Sequence, residues 1–373
     1  MKVFITDGSY KQSLAAVRSL GRKGIHVIVG SHYKWAQCFW SKYCHEKLLY
    51  PDPRQEERFV DFMMDFVTKN KIDVLLPVGY ISTMIFSKHK SAFSKYIRLP
   101  VADWEALEIA ANKDKTMEFA SVLGLAMPAM YKSADEIKEY PVVVKGIKES
   151  GHVRYVNSPA ELAAIPDKQV IIQEYIPGDG FGLYALFDNG FPRAVFMHRR
   201  IREYPVTGGA SSAAESYYDS ALKEQGLKLL ESLKWHGVAM VEFKKDSRDG
   251  KYKLMEINPK FWGSLDLSIA AGIDFPYLAA KMAYDGDIET VEKYRRGIRF
   301  RWPFPDDCLH LLAHPTSIGM QLCDFFRKDS VSNLSARDLK PHIIQFAATI
   351  RAAVKRIISG NLRYPHGRPR VRK

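Results

Sequence analysis

Two acidic side chains and one amide stand at the ends of two strand-like stretches in the second half of the chain. Glu242 closes the apolar run VAMVE, while Glu256 and Asn258 lie in KLMEINP, after a short polar turn at residues 248–250. Antiparallel pairing of the two stretches would bring the acids close together, and residues two apart on a strand share a face. Such oxygen atoms suit Mg²⁺, which takes one or two carboxylates together with substrate phosphates. Two solvated acids at strand ends explain the same spacing equally well.

Several cations could complete an anion site. Lys145 ends the apolar run PVVVK, where a lysine either reaches solvent or directs its charge at a phosphate. The stretch HRRIREYPVTGGASS places His198, Arg200 and Arg202 on one face of a regular strand, just before a Gly-Gly loop. Cations beside such a loop suit anionic oxygens, and a solvated basic hairpin is the alternative. Lys115, in the helix start NKDKT, is equally ambiguous.

The elements that must position these residues fall into distinct regions. In the first hundred residues, the strand-like runs VFITD, HVIVG and DVLLP alternate with helical patterns, which predicts βαβ units and a parallel sheet. The first strand-to-helix turn, TDGSYKQS, lacks the GxGxxG pattern, so nicotinamide binding is not indicated. The middle region reads as α+β with antiparallel sheets, and Asn189–Gly190 predicts a hairpin turn.

Six stretches in this order resemble the ATP-grasp superfamily, in the branch that includes carbamoyl-phosphate-synthase-like proteins and carboxylate–amine ligases such as D-aspartate ligases. The stretches are DK at 114–115, VVVKG, QEYIPG, HRRIREYPVTGG, VEF and EINPKFWG, and the resemblance covers roughly residues 1–290. It implies a Rossmann-like pre-ATP-grasp domain at 1–98 and a two-lobed ATP-grasp domain at 99–290, with its small lobe at about 115–180. A helical C-terminal extension with a basic tail would occupy 291–373. The expected fold class is therefore α/β and α+β.

The resemblance also implies roles for individual residues. Lys115 and Lys145 would hold the phosphates of ATP, and Glu242, Glu256 and Asn258 would bind Mg²⁺ or Mn²⁺. Arg200 and Arg202 would stabilise the transferred phosphoryl group or a substrate carboxylate. The adenine would meet the hinge strand, which comprises Gln173, Glu174, Tyr175 and Ile176.

Two departures from the family pattern stand out. Many relatives have arginine after Asn-Pro, where this chain has Lys260. Lysine keeps the charge but loses the bidentate fork, which weakens the assignment of Lys260 as a catalytic carboxylate clamp. The loop after Lys145, GIKESGHVRYV, contains few glycines for a segment that covers phosphates.

The implied activity is a ligase reaction that joins a carboxylate to an amine through an acylphosphate and releases ADP and phosphate. The substrate would be an amino acid, a peptide or a cell-envelope precursor. Carbamate or carboxylase chemistry is an alternative, although the chain contains no biotin carrier segment. A nucleotide-binding regulator without turnover is the alternative from another class.

Charge and composition bear on partners and location. From Arg337 onward the chain has ten lysines and arginines and a single acid, within a net charge of +13. Ile343, Phe346, Ile350, Val354 and Ile357 fall on one helical face beside basic residues, which is compatible with contact to an anionic membrane or with packing on the enzyme core. The start MKVFITDG lacks the apolar core of a signal peptide, and the four cysteines lack metal-type spacing. We therefore expect a cytoplasmic protein with reduced thiols, or one that is peripheral at the inner face of the membrane. The default expectation for its oligomeric state is a homodimer. No nucleic-acid partner is expected.

Overall fold

The first domain is a four-stranded parallel sheet with helices on both sides. The computed structural model describes residues 1–146, 153–165, 170–206, 208–364 and 368–370. All neighbouring strands are parallel, as the alternating apolar runs predict, and they lie in the order β3-β2-β1-β4. The elements are β1 (Lys2–Ile5), α1 (Lys11–Arg22), β2 (His26–Ser31), β3 (Glu46–Leu49), α2 (Glu56–Lys69), β4 (Val74–Leu76), α3 (Tyr80–Lys88) and α4 (Lys90–Phe93).

The small lobe of the second region is a four-stranded antiparallel sheet. Its strand order is β5-β8-β6-β7, and Val142, Val144 and Val156 form its core. Two helices precede it, and the second begins at Lys113, capped by the side chain of Asn112. The elements are α5 (Trp104–Ala111), α6 (Lys113–Val122), β5 (Met130–Tyr131), β6 (Val142–Gly146), β7 (Val153–Val156), α7 (Pro159–Ala163) and β8 (Val170–Glu174).

The large lobe is built on a long antiparallel sheet in the order β13-β12-β9-β10-β11. Asn189 and Gly190 both have positive φ, at 45° and 89°, and turn the chain from β9 into β10 as the Asn-Gly signal predicts. The elements are β9 (Gly180–Asp188), β10 (Phe191–Tyr204), β11 (Ala210–Ser216), α8 (Ser220–Ser232), β12 (Gly237–Lys245), β13 (Tyr252–Asn258), α9 (Leu265–Ala271) and α10 (Phe275–Asp285).

Two apolar cores hold the large sheet. On one face, side chains such as Tyr184 and Phe196 join α9, α10 and the first domain in a single core, so the first domain is fixed against the large lobe. On the other face, Leu183 and Phe187 pack with α5, α6 and α8. This second core anchors the start of α6 beside β13.

The C-terminal extension contributes strands as well as helices. Its strands extend the large sheet, because β14 pairs with β11 and then with β15. The expectation of a helical extension is therefore incomplete, since three-residue strands leave no readable periodicity in the sequence. The elements are β14 (Arg299–Arg301), α11 (Cys308–Ala313), α12 (Ile318–Phe326), β15 (Ser330–Ser332) and α13 (Lys340–Ile358). In the described part of the chain, no helix combines the length and apolar character needed to cross a membrane.

Candidate active site

The two glutamates and the asparagine meet at the end of the β12–β13 pair. Glu242 lies directly opposite Glu256 in the antiparallel register, and Asn258 pairs with Met240 two residues further along. The amide Nδ2 of Asn258 donates to Glu256 Oε1 at 3.0 Å and lies 3.4 Å from Glu242 Oε1. The sequence predicts that these residues come together, and the alternation of side chains along β13 puts Glu256 and Asn258 on one face. Glu242 comes opposite Glu256 because the ladder shifts by one residue between Glu242 and Phe243, which pairs with Leu254.

Three cations surround the carboxylate pair. Arg200 on β10 donates from a terminal nitrogen to Glu242 Oε2 at 2.5 Å. Lys113 Nζ, at the start of α6, lies 3.7 Å from Glu256 Oε2. Lys145, at the end of β6 in the small lobe, is 8% exposed, and burial lowers its pKa to about 8. Charges from both lobes and from the connecting helix thus converge on one place.

The two carboxylates have different electrostatic environments. Burial raises the pKa of Glu242, and the neighbouring charge of Glu256 adds to that shift, against the opposing effect of Arg200. Burial also acts to raise the pKa of Glu256, but Lys113 and Lys145 outweigh it and the pKa is lowered. Two facing acids of this kind favour a bound cation, which would relieve their mutual repulsion.

A cavity of about 550 Å³ opens between the small and large lobes at this point. Glu242, Glu256, Lys113, Lys145 and Arg200 line it. The apolar part of its wall comes from both lobes and comprises Val143, Val153, Tyr155, Tyr175, Ile176 and Met255. A cleft with lysine and arginine at one end and apolar side chains at the other has the features that a nucleoside triphosphate requires.

The hinge between the lobes follows β8. Glu174, Tyr175 and Ile176 line the cavity, as the resemblance implies. The carboxylate of Glu174 bonds to Arg248 at 2.5 Å and accepts from Ala129 N at 3.1 Å. These contacts fix its orientation.

Gln173 and a further lysine complete the hinge region. The side chain of Gln173 is buried, and its Oε1 has no hydrogen-bond partner within the described residues. Lys244 donates to the carbonyl of Ile176 at 2.7 Å and lies 5.3 Å from the ring centre of Tyr175. Sequence reasoning missed Lys244, because a strand-end lysine after VEF carries no distinguishing signal.

Lys115 occupies a different position from the one predicted. Its Nζ pairs with Glu108 at 3.1 Å, and its side chain is 44% exposed. Asn112 caps the helix, which makes Lys113 the first helical residue. Successive helical residues rotate by about 100°, so Lys113 and Lys115 point in nearly opposite directions. The structure therefore brings Lys113 to the cavity in place of Lys115; the position of the cap was the sequence signal that could have distinguished them.

Arg202 also departs from the prediction. Arg200 pairs with Ala214 of β11 but Arg202 pairs with Ala213, so the ladder shifts by one residue and Arg202 no longer shares a face with Arg200, although it still borders the cavity. Its side chain is 2% exposed and forms ion pairs with Asp307, at 3.0 Å, and with Asp324. These contacts assign Arg202 to holding the C-terminal extension, and they do not favour the catalytic role predicted for it.

His198 shares a face with Arg200 but does not act as a cation. Burial lowers its pKa to about 3, so the imidazole is neutral at physiological pH. Its Nε2 lies 2.8 Å from Ser264 Oγ and also contacts the hydroxyl of Tyr184. The residue is part of the core beneath the cavity.

Lys260 lies at the junction with the first domain. It lines a small cavity beside Pro77, Pro100 and Phe261, and Val238 of β12 closes the same space. Its predicted catalytic role stays a prediction. The loop at 147–152, which was expected to cover phosphates, lies outside the described residues.

The residues of this site fit a magnesium ion. The described part of the chain contains no cluster of three or more His, Cys, Asp or Glu side chains that could hold a metal. Two carboxylates with one amide match the sparse ligand set that Mg²⁺ takes when waters and phosphates supply the rest. Asn258 now presents its nitrogen to both acids, so it would have to rotate its amide to offer Oδ1 to the ion.

The two lysines of α6 provide a matched test of the site. Lys113→Ala should lower kcat/KM for ATP about 10²–10³-fold, because one fixed positive charge beside the phosphates is lost. Lys115→Ala should stay within about twofold of the wild type, since the exposed pair with Glu108 contributes little. Steady-state ADP release measures both, and equal losses in the two variants would contradict the placement.

The buried amine of Lys145 predicts a dependence of nucleotide binding on pH. Its pKa of about 8 leaves it charged below that pH and neutral above it. The Kd for ATP should therefore rise on the order of tenfold between about pH 8 and pH 9.5. Lys145→Arg, which stays charged, should flatten this rise. Calorimetric titration with MgATP measures both profiles; superimposable curves would mean that Lys145 does not bind the phosphates.

Solved structures of other proteins share this architecture. The chain superimposes on a biotin carboxylase–β,γ-ATP complex from Campylobacter jejuni with a TM-score of 0.64 and 16% identity, over 80% of this chain and 74% of the other. It superimposes on an L-amino acid ligase from Bacillus licheniformis with a TM-score of 0.62 and 17% identity, over 77% and 75%. The chain therefore has the ATP-grasp fold, and the resemblance to that superfamily is confirmed.

Within that superfamily, residues 167–303 match the family described as ATP-grasp in the biosynthetic pathway with Ter operon. The chain is also 24% identical over 228 residues to the D-aspartate ligase of Enterococcus faecium. That alignment covers 51% of this chain and spans about half of the relative, 53% of its length.

Proposed function

We propose that this protein is an ATP- and Mg²⁺-dependent ligase that joins a carboxylate to an amine. The observation that carries the proposal is the cavity in which a facing pair of glutamates is surrounded by Lys113, Lys145 and Arg200. The similarity to a D-aspartate ligase and to an L-amino acid ligase supports an amino acid, a peptide or a cell-envelope precursor as the substrate.

The chemistry follows from charge. The substrate carboxylate attacks the γ-phosphorus of ATP and forms an acylphosphate and ADP; the amine then attacks the acyl carbon and releases phosphate. Both partners in the first step are anions, so fixed cations must offset their repulsion. Lys113 and Lys145 would hold the phosphates, and Arg200 would face the transferred phosphoryl group. A magnesium ion on Glu242, Glu256 and Asn258 would neutralise further charge on the phosphoryl oxygens.

Nucleotide position would come from the hinge. Tyr175 and Ile176 line the apolar end of the cavity, where an adenine ring can stack and bond to the backbone. Lys244 already holds the Ile176 carbonyl, which keeps the hinge in one conformation before the nucleotide arrives. We further propose that the protein is cytoplasmic, that it forms a homodimer and that it can contact the membrane surface.

The test is product formation with paired substrates. Purified protein with ATP and Mg²⁺ should release ADP and phosphate only when both a carboxylate donor and an amine acceptor are present, and mass spectrometry of amino-acid and dipeptide mixtures should identify the amide. Release that depends on bicarbonate without an amine would favour the carboxylase alternative. Tight nucleotide binding without turnover across the whole panel would favour the regulator.

A further inference from the structure

Helix α13 presents its apolar side to solvent. Its buried residues are Pro341, His342, Gln345 and Thr349, three of them polar. The outward side chains form what we call the apolar stripe: Ile343 (66% exposed), Phe346 (51%), Ile350 (51%), Val354 (49%) and Ile357 (57%). An amphipathic helix that packs on a core normally does the reverse. A continuous exposed stripe of this kind marks an interaction surface.

Specific contacts hold this orientation of the helix. His342 Nε2 lies 3.0 Å from a terminal nitrogen of Arg18 on α1 and accepts from Ser335 N at 3.1 Å. Its Nδ1 lies 2.8 Å from Gln345 Oε1. The inward face is therefore a hydrogen-bonded face, and rotating the helix to bury the apolar stripe would break these contacts.

Basic residues run along one edge of the apolar stripe. At about 100° per residue, Lys340, Arg351 and Lys355 follow each other along the helix next to the stripe, and all three are exposed. Asp338 is the single acid from Arg337 onward, and it is buried in an ion pair with Arg18. The charge beside the apolar stripe is thus not neutralised by its own segment.

We propose that the apolar stripe docks onto an anionic lipid surface, with Lys340, Arg351 and Lys355 among the phosphate groups. An apolar face flanked by lysine and arginine on a helix that cannot span a bilayer is the pattern of an interfacial helix. A second copy of the chain would bring two basic edges together, which charge complementarity disfavours. The proposal does not depend on the ligase activity.

Vesicle sedimentation of the full chain tests this. The protein should pellet with vesicles containing about 30% phosphatidylglycerol and not with pure phosphatidylcholine, and about 0.5 M salt should reverse the binding. Ile343→Gln combined with Ile350→Gln should lower the partition coefficient about tenfold or more. Ala348→Gln, at an exposed position of the same helix outside the stripe, should stay within about twofold.

Several results would overturn the proposal. The first is wild-type protein that stays in the supernatant with anionic vesicles, or that binds neutral vesicles equally well. Another is binding that the double variant leaves unchanged. Light scattering tests whether the protein self-associates. A dimer that forms without lipid, and that the double variant converts to a monomer, would instead make the apolar stripe an interface between two copies. Thermal unfolding of each variant excludes loss of fold as the cause.

Discussion

Glu256→Gln should abolish ATP-dependent ligation, with kcat falling by at least about 10³-fold. The substitution removes one of the two negative charges that face the metal position while keeping the size of the side chain. Its Oε1 could still accept from Asn258, as Glu256 does at 3.0 Å. We therefore expect the thermal midpoint without magnesium to stay within about 3 °C of the wild type. The magnesium concentration needed for half-maximal residual activity should rise.

Glu108→Gln is the matched control for this variant. Glu108 lies on α5, its side chain is 48% exposed, and it pairs with Lys115 outside the cavity. The same chemical change there should leave kcat within about twofold. The assignment of Glu256 to the metal fails if Glu256→Gln and Glu108→Gln release ADP at the same rate.

The carboxylate pair shows which features of a site the sequence can predict. Glu256 and Asn258 lie two residues apart on β13, and the period of two along a strand decides that they share a face. The position of Glu242 opposite Glu256 also requires a one-residue shift of the ladder between Glu242 and Phe243, which the period does not contain. The parallel sheet of the first domain was predictable for a similar reason, because its buried strands read as short apolar runs separated by helical patterns. Local periodicity is sufficient for Glu256 with Asn258 and for the parallel sheet.

Other features depend on details that periodicity does not contain. The choice between Lys113 and Lys115 depends on which residue is the first of the helix, and a shift of two residues reverses the direction of the side chain. Arg202 left the predicted face because a one-residue shift in the ladder follows Arg200. Such a shift is set by the neighbouring strand, which the local sequence of β10 does not specify.

The orientation of α13 is a tertiary property in the same sense. The sequence predicts the stripe of Ile343, Phe346 and Ile350, and the structure contains it. Which side faces the protein is decided by Arg18, more than three hundred residues earlier, which bonds to His342 and Asp338. A pattern within one helix cannot report on a partner so distant in the chain.

Arg18→Met should cost about 3–5 kcal/mol of unfolding free energy, because it leaves the carboxylate of Asp338 buried without its cation. Arg18 donates from Nε to Asp338 Oδ2 at 2.8 Å and from its terminal nitrogens to the carbonyls of Asn333 and Asp338. The carboxylate also accepts from Ser41 and from Lys42 N. Denaturant unfolding measures the loss, which should include early release of the C-terminal extension.

The other arginine of the same helix supplies the control. Arg22 lies in the last turn of α1 and is exposed. Arg22→Met should change the unfolding free energy by less than about 0.5 kcal/mol. Arg18→Met combined with Asp338→Asn should recover at least half of the loss, because no unpaired charge remains. Equal midpoints for Arg18→Met and Arg22→Met would show that the buried pair does not hold the extension.

The same ion pair predicts how this loss depends on pH. Burial alone would raise the pKa of Asp338, but the hydrogen bonds from Arg18, Lys42 N and Ser41, together with the charge of Arg18, outweigh it and lower the pKa. A lowered folded-state pKa contributes stability above the ordinary value of about 3.9, and that contribution disappears as pH falls through the folded-state pKa. In Arg18→Met, burial without the cation raises the folded-state pKa of Asp338, so the difference from wild type should be largest near pH 7 and should shrink as pH falls towards about pH 4. A difference that stays constant down to pH 3 would mean that the destabilisation comes from lost packing of the Arg18 stem and not from the unpaired charge.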